Sequence, residues 1–182
     1  MKTLILYLSR DGQTHKIART IAAHLTNYCK CKVIDLNFAY DLDLKSYQRV
    51  VIGAAIHYGC FDANLDRFIA QRLDWLNSIP SAFYSVSLMA RKPDKCTQTT
   101  NTYTKKFLAN TPWCPDLCAI FSGALYYPRY RWFDRVIIQV IMYITGGETD
   151  QTKEVEYTDW QQVSSFASNL VQLTTKNRKI KH

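Results

Sequence analysis

Ser9-Arg10-Asp11-Gly12-Gln13-Thr14 is a short polar segment between an apolar run, Thr3 to Leu8, and a helical pattern that begins near Gln13. Ser9 and Thr14 supply hydroxyls, and Gly12 lets the backbone approach a ligand closely. A helix starting at Gln13 aims unpaired N–H groups and its positive dipole end at the same point. Together these suit a phosphate monoester. The same residues also make an ordinary strand-to-helix turn with Ser or Thr as cap. Asp11 is the awkward member, since an anion beside a phosphate is unfavourable. It is expected to point away and offer only its backbone N–H, with Arg10 compensating. Gly-Lys-Thr and Gly-x-Gly-x-x-Gly are both absent, which sets aside a nucleoside triphosphate loop and a dinucleotide loop. A response-regulator receiver lacks its acidic pair, and a low-molecular-weight phosphatase lacks its Cys nucleophile.

The 182 residues carry a net charge of +8. Basic residues gather at Arg91, Lys92 and Lys95, at Arg129, Arg131 and Arg135, and in Lys176, Arg178, Lys179 and Lys181. Such a surplus serves solubility or a partner of negative charge. The six cysteines (29, 31, 60, 96, 114 and 118) form no set at zinc-ligand spacing, so no metal site is expected. The apolar start ends at Ser9-Arg10-Asp11, too short for a signal peptide, and is read as a mature cytoplasmic start; reduced thiols fit that reading.

Apolar runs without alternation predict five strands covered on both faces: Thr3–Leu8, Lys32–Leu36, Val50–Ile56, Ala82–Leu88 and Leu117–Leu125. Helical spacing predicts helices from Gln13 past Leu25, over Asn64–Leu76, over Tyr103–Ala109 and over Trp160–Leu173. Strand and helix alternate, so the fold class is α/β: a doubly wound, five-stranded, mainly parallel sheet with helices on both faces. In such sheets a ligand sits beyond the carboxyl ends of the strands, where strand order reverses. The loops after strands one, three and four are therefore the place for a site. The expected domain is 1–175, with a basic tail at 176–182 and a long insert at 126–158. Within the insert, Phe133, Val136, Ile137, Val140, Ile141 and Ile144 repeat at helical spacing, with Trp132 at the start, which predicts an amphipathic helix over 132–145. It is too short and too charged to span a bilayer and suits the headgroup region, with the arginines against anionic lipid. Packing on its own domain, or on a second copy in a homo-oligomer, would cover the same stripe.

The first loop resembles the phosphate loop of flavodoxins, departing from it at Asp11. Further segments resemble one family: Val50 to Gly59, Pro80 to Val86, Ala90-Arg91-Lys92-Pro93, Gly123-Ala124-Leu125-Tyr126-Tyr127-Pro128-Arg129-Tyr130-Arg131-Trp132, Gly146-Gly147-Glu148-Thr149-Asp150 and Tyr157-Thr158-Asp159-Trp160. This is the flavodoxin-like, quinone-dependent protoporphyrinogen dehydrogenase of bacterial haem synthesis, whose pattern also includes Asp-Gly-Gln-Thr in the first loop. About nine tenths of the chain takes part. The residues from Cys29 to Asp43 and those after Leu173 match least.

The resemblance implies an FMN cofactor, with its phosphate on Ser9, Arg10, Asp11, Gly12, Gln13 and Thr14. It implies that the ring lies between Ala54, Ala55, Ile56, His57 and Tyr58 on one side and Tyr84, Ser85, Val86, Ser87 and Leu88 on the other. His57 and Tyr58 could stack on the ring or move a proton, or simply cap the strand; no catalytic base is identified. The implied reaction removes six electrons from protoporphyrinogen IX in three two-electron steps and passes them to menaquinone or ubiquinone. Arg91, Lys92, Arg129 and Arg131 suit the two propionates of that substrate. The implied location is peripheral, on the cytoplasmic face of the cell membrane, with lipid and not nucleic acid as the anionic surface. Two other readings stay open: a flavodoxin-type electron carrier or flavin-dependent quinone reductase, and a non-enzymatic membrane-docking module.

Overall fold

A computed structural model describes residues 1–92 and 100–176. Lys95, Cys96, Arg178, Lys179 and Lys181 lie outside them. Five parallel strands form the main sheet: β1 (Lys2–Leu8), β2 (Lys30–Asp35), β3 (Arg49–Ala55), β4 (Ser81–Ser87) and β5 (Leu117–Ser122). Their order is β2-β1-β3-β4-β5, so the direction of winding reverses between β1 and β3. Helices α1 (Gln13–Leu25) and α5 (Trp160–Gln172) cover one face, packing Ile17, Ile21, Val163 and Leu170 on Ile5, Val51 and Tyr84. Helices α2 (Ala63–Ser78) and α3 (Thr102–Asn110) cover the other, where Phe68, Leu76 and Trp113 meet Leu4, Ile52 and Phe83. Double coverage is the reason these strands read as unbroken apolar runs.

Three helices begin on an Asx cap. The Asp62, Asn101 and Asp159 side chains accept from the first turns of α2, α3 and α5. Helix α1 does not: Gly12 stands before it at φ 91°, and no side chain caps it. Its first N–H groups are left for something else.

The expected fifth strand, Leu117–Leu125, is divided. β5 stops at Ser122, and Ala124–Tyr126 forms a separate strand, β6, antiparallel to β7 (Glu154–Glu156). Gly123 makes the break: its N–H donates to Ser87 O at 3.2 Å, while its carbonyl accepts from Tyr157 N–H at 3.1 Å. The chain thus leaves β4 and picks up a new partner in the segment that ends at Tyr157. The insert carries α4 (Trp132–Thr145), the span expected from the stripe. Leu125, Tyr127, Ile138 and Met142 make a small core of their own, joined by Leu88 and Val155. At its far end α4 closes on Gly146 in the left-handed region at φ 68°, with Gly147 N–H on Met142 O at 2.8 Å.

Lys176, where the tail was expected to begin, is tied to the sheet: its ammonium lies 3.1 Å from the Asp116 carboxylate and donates to Ser81 Oγ and Cys114 O.

Candidate functional site

A cavity of about 560 Å³ opens beyond the carboxyl ends of β1, β3 and β4, at the reversal of strand order. Of the expected cofactor residues, Ser9, Arg10, Asp11, Gln13, Thr14, Ala55, Ile56, His57, Tyr58, Val86, Ser87 and Leu88 line it. Gly12 does not line it, but sets the loop: its N–H donates to Ser9 Oγ at 3.0 Å, and its carbonyl accepts from Lys16 N–H.

Ala54, Tyr84 and Ser85 are corrections, since all three are buried away from the cavity. Ser85 Oγ meets Thr104 Oγ1 at 2.8 Å on the α3 side. Tyr84 lies on the opposite face, and its phenol donates to Thr14 O at 3.0 Å. That ring fills the space beside Gly53: a Cβ there would stand 1.9 Å from Tyr84 Cζ. Tyr84 therefore supports the start of α1 from below instead of touching a ligand.

The loop after β3 is a tight turn. His57 and Cys60 exchange both backbone hydrogen bonds, and the two central residues, Tyr58 and Gly59, have φ of 47° and 80°. Positive φ at both is the pattern of a type I′ turn, uncommon for a tyrosine. It sets the His57 and Tyr58 rings 3.9 Å apart. Tyr58 Oη donates to Asp134 Oδ1 at 2.5 Å, and Arg10 Nη2 lies 3.5 Å from Asp134 Oδ2. Burial, and then the Arg10 guanidinium, push the His57 pKa down, so its imidazole is neutral at pH 7. Its Nε2 is buried without a hydrogen-bond partner. Burial, and then Asp134, push the Tyr58 phenol up.

Asp11 and Tyr130 both line the cavity, together with Arg10 and His57. Burial raises the Asp11 pKa above the usual aspartate value, against the opposing pull of Arg10 and His57. Gln13 ties the same loop to the insert: its amide donates to Thr158 Oγ1 at 2.7 Å, and its carbonyl accepts from Tyr126 Oη at 2.8 Å.

The four expected anion-binding residues separate. Arg91 lines the cavity and is held by Leu88 O and by Thr145 O and Oγ1. Lys92 joins it in a second, more open recess of about 640 Å³ next door, with Glu148 and Tyr157. Arg129 is a correction: it forms a two-pronged ion pair with Glu154 at 2.8 Å and lies over the Tyr126 ring, outside the cavity. Arg131 is also outside, exposed at the start of α4, near the Phe133 ring. Both lie outside while Tyr130 between them lines the cavity, so the two arginines flank a residue that points the other way.

Sequence reasoning missed the far wall. Ile138, Ile141, Met142, Ile144 and Thr145 of α4 line the cavity, with Tyr103 of α3 and Tyr130 before α4. It also missed Asp134, a charge on an apolar helix beside the stripe; that placement was the available signal. Only Asp134, Ile138 and Met142 of α4 are buried. Trp132 is 78% exposed, Ile144 75% and Ile141 39%, and Phe133, Val136, Ile137 and Val140 are exposed with them. Among the described residues, no helix is long and apolar enough to cross a membrane.

Residues 4–152 match the flavodoxin domain family. The chain is 50% identical to protoporphyrinogen IX dehydrogenase (quinone) of Escherichia coli strain K12, over 97% of this chain and 98% of that one. It is 49% identical to the Leishmania major protein of the same name, over 94% of this chain and 75% of that one. Among solved structures, Flavodoxin 2 from Bacillus cereus superposes with a TM-score of 0.51 at 15% identity, over 96% of this chain and 97% of that one. A Streptococcus pneumonia TIGR4 flavodoxin gives 0.52 at 12%, over 94% and 99%. These two speak for the fold alone. The chain belongs to the flavodoxin domain family and, within it, to the protoporphyrinogen IX dehydrogenase (quinone) group.

Proposed function

We propose that this protein oxidises protoporphyrinogen IX to protoporphyrin IX through bound FMN and delivers the electrons to a membrane quinone. Residues 1–175 act as one FMN-binding unit, with the insert at 126–158 adapting it to a substrate. The observation that carries this reading is a single cavity shared by the uncapped start of α1 and by a helix of the insert. A carrier that only docks other proteins has no use for that second wall.

The residues present fit FMN. The free N–H groups of α1, Ser9 and Thr14 would hold the phosphate, and Arg10 would add charge. Asp11 would take part through its backbone N–H. Residues 55–58 and 86–88 would flank the ring. What bound FMN supplies is two-electron chemistry, repeated three times for each substrate and discharged each time to one quinone, which becomes a quinol. Burial pushes the His57 pKa down and favours the neutral imidazole, and it pushes Tyr58 up, which keeps the phenol protonated as a donor. Arg91, with Lys92 beside it, would pair a propionate.

The exposed apolar face of α4 supports peripheral attachment to the cytoplasmic face of the cell membrane. Arg131 at its start would meet anionic headgroups, each such cation contributing roughly 1 kcal/mol.

The test is anaerobic turnover of protoporphyrinogen IX with a menaquinone or ubiquinone analogue, followed by porphyrin fluorescence. An FMN-dependent, quinone-stimulated rate is expected. A rate no higher than autoxidation overturns the reading.

A further inference from the structure

We infer that the Ile141–Ile144 edge of α4 is a subsite for the isoprenoid tail of the quinone, and the route by which its ring enters the flavin cavity. This rests on the quinone reading above. Two residues carry it. Ile141 and Ile144 line the cavity and also stand on the exposed apolar face of the same helix. The cavity wall therefore runs onto the outer surface at these two side chains. Val140 and Val136, one and two turns back, share the exposed face but do not reach the cavity.

The cavity is mixed in polarity. Its lining combines polar groups, Arg10 and Asp11 of the first loop and His57, with the apolar Ile138, Ile141 and Met142 of α4. A ligand with a polar ring and a long hydrocarbon tail fits that lining with its ring inward and its tail along α4. A porphyrinogen has two carboxylates for Arg91 and no tail to lie along Ile141 and Ile144. Leaving Ile144 open to water forgoes the stabilisation a covered isoleucine provides, and a tail lying on it restores that contact. The helix is also built to end there. Its left-handed Gly146 and the Gly147-to-Met142 hydrogen bond stop it at the rim, so the path is not blocked by a further turn.

Two measurements test this on the FMN-loaded protein. The first is the kcat/KM ratio for one naphthoquinone ring with and without an isoprenoid tail, both in detergent micelles so that docking to a bilayer is not required. The wild type should prefer the tailed quinone. Ile144→Asp should lower the ratio about tenfold, the scale of one buried aliphatic side chain. Ile144→Leu should keep the ratio, and Val140→Asp should alter it by less than about twofold. A wild-type ratio near one, an unchanged ratio in Ile144→Asp, or an equal fall in Val140→Asp would overturn the subsite. The second measurement is photolabelling with a quinone carrying a diazirine on its tail. Label on residues 141–145 supports the subsite, and label elsewhere overturns it. Label at 141–145 in a protein without quinone-dependent turnover would sink the proposed activity and leave the tail subsite standing.

Discussion

The Tyr58 phenol and the Asp134 carboxylate are joined at 2.5 Å across 76 positions of sequence, linking the loop after β3 to the first turn of α4. Arg10 completes the group from the phosphate loop. Three elements around one cavity therefore share one buried carboxylate. Tyr58→Phe and Asp134→Asn should each destabilise the protein, and a double-mutant cycle in thermal unfolding should return a coupling of about 1 kcal/mol. A coupling near zero would mean that the contact holds nothing. The same variants should weaken FMN binding, read from flavin fluorescence, because Tyr58 would no longer be held at its positive φ.

Gly53→Ala should be among the most damaging single changes in the chain. The added methyl would stand 1.9 Å from Tyr84 Cζ, in a ring that is fully buried. Overpacking of this kind costs about 3 kcal/mol or more when nothing can yield. The displaced Tyr84 hydroxyl would also release Thr14 O, so FMN affinity should fall even where the protein remains folded. Denaturant titration and FMN titration together check both halves.

Asp11 and His57 set opposite pH signs. Asp11 has a raised pKa in the fold, so its stabilising contribution is present below the ordinary value of 3.8 and is lost as pH rises. At neutral pH its charge is a cost. Asp11→Asn should raise the Tm of the FMN-free protein by about 2 °C at pH 7, and the gain should vanish towards pH 4. His57 has a lowered pKa, so its contribution is present above 6.5 and is lost as pH falls. His57→Gln should flatten the loss of Tm below pH 6.5. Scanning Tm against pH for the two variants decides both.

Ile137→Asp combined with Val140→Asp should release the protein from anionic vesicles while FMN stays bound, since neither residue lines the cavity. Each change removes an apolar contact and adds repulsion from the headgroups. Co-sedimentation with vesicles is the measurement. Undiminished sedimentation would detach α4 from the membrane reading.

Arg91 and Arg129 should differ sharply despite their similar chemistry. Arg91→Ala should raise KM for protoporphyrinogen about tenfold, the value of one charge-assisted contact. Arg129→Ala should change KM by less than about twofold, because that guanidinium is already committed to Glu154. Steady-state kinetics on both would place or displace the propionate site.

The sheet, its helices and the phosphate loop were legible because each rests on local information: apolar runs, helical spacing, and a polar, Gly-containing turn between strand and helix. The same is true of α4, whose stripe runs up to a Gly that stops it. What could not be read depends on partners far away in sequence. The run from Ala119 to Leu125 is interrupted only by Ser122 and Gly123, and it is the pairing with residues 154–157 that divides it. Ser85 and Tyr84 alternate faces in a strand buried on both sides, where polarity does not report direction. Arg129 looks free until Glu154 arrives from the next strand.

Gln13 makes the insert and the phosphate loop a single heritable unit. One side chain receives Tyr126 from the beginning of the insert and grips Thr158 at its end, two residues before α5. A chimera that moved residues 124–158 onto a plain flavodoxin would leave both ends of the graft without their clasp. One that trimmed the insert away would strip the first residue of α1 of both its bonds. Engineers who wish to convert a carrier into a porphyrinogen oxidase must therefore carry Gln13 and the insert together.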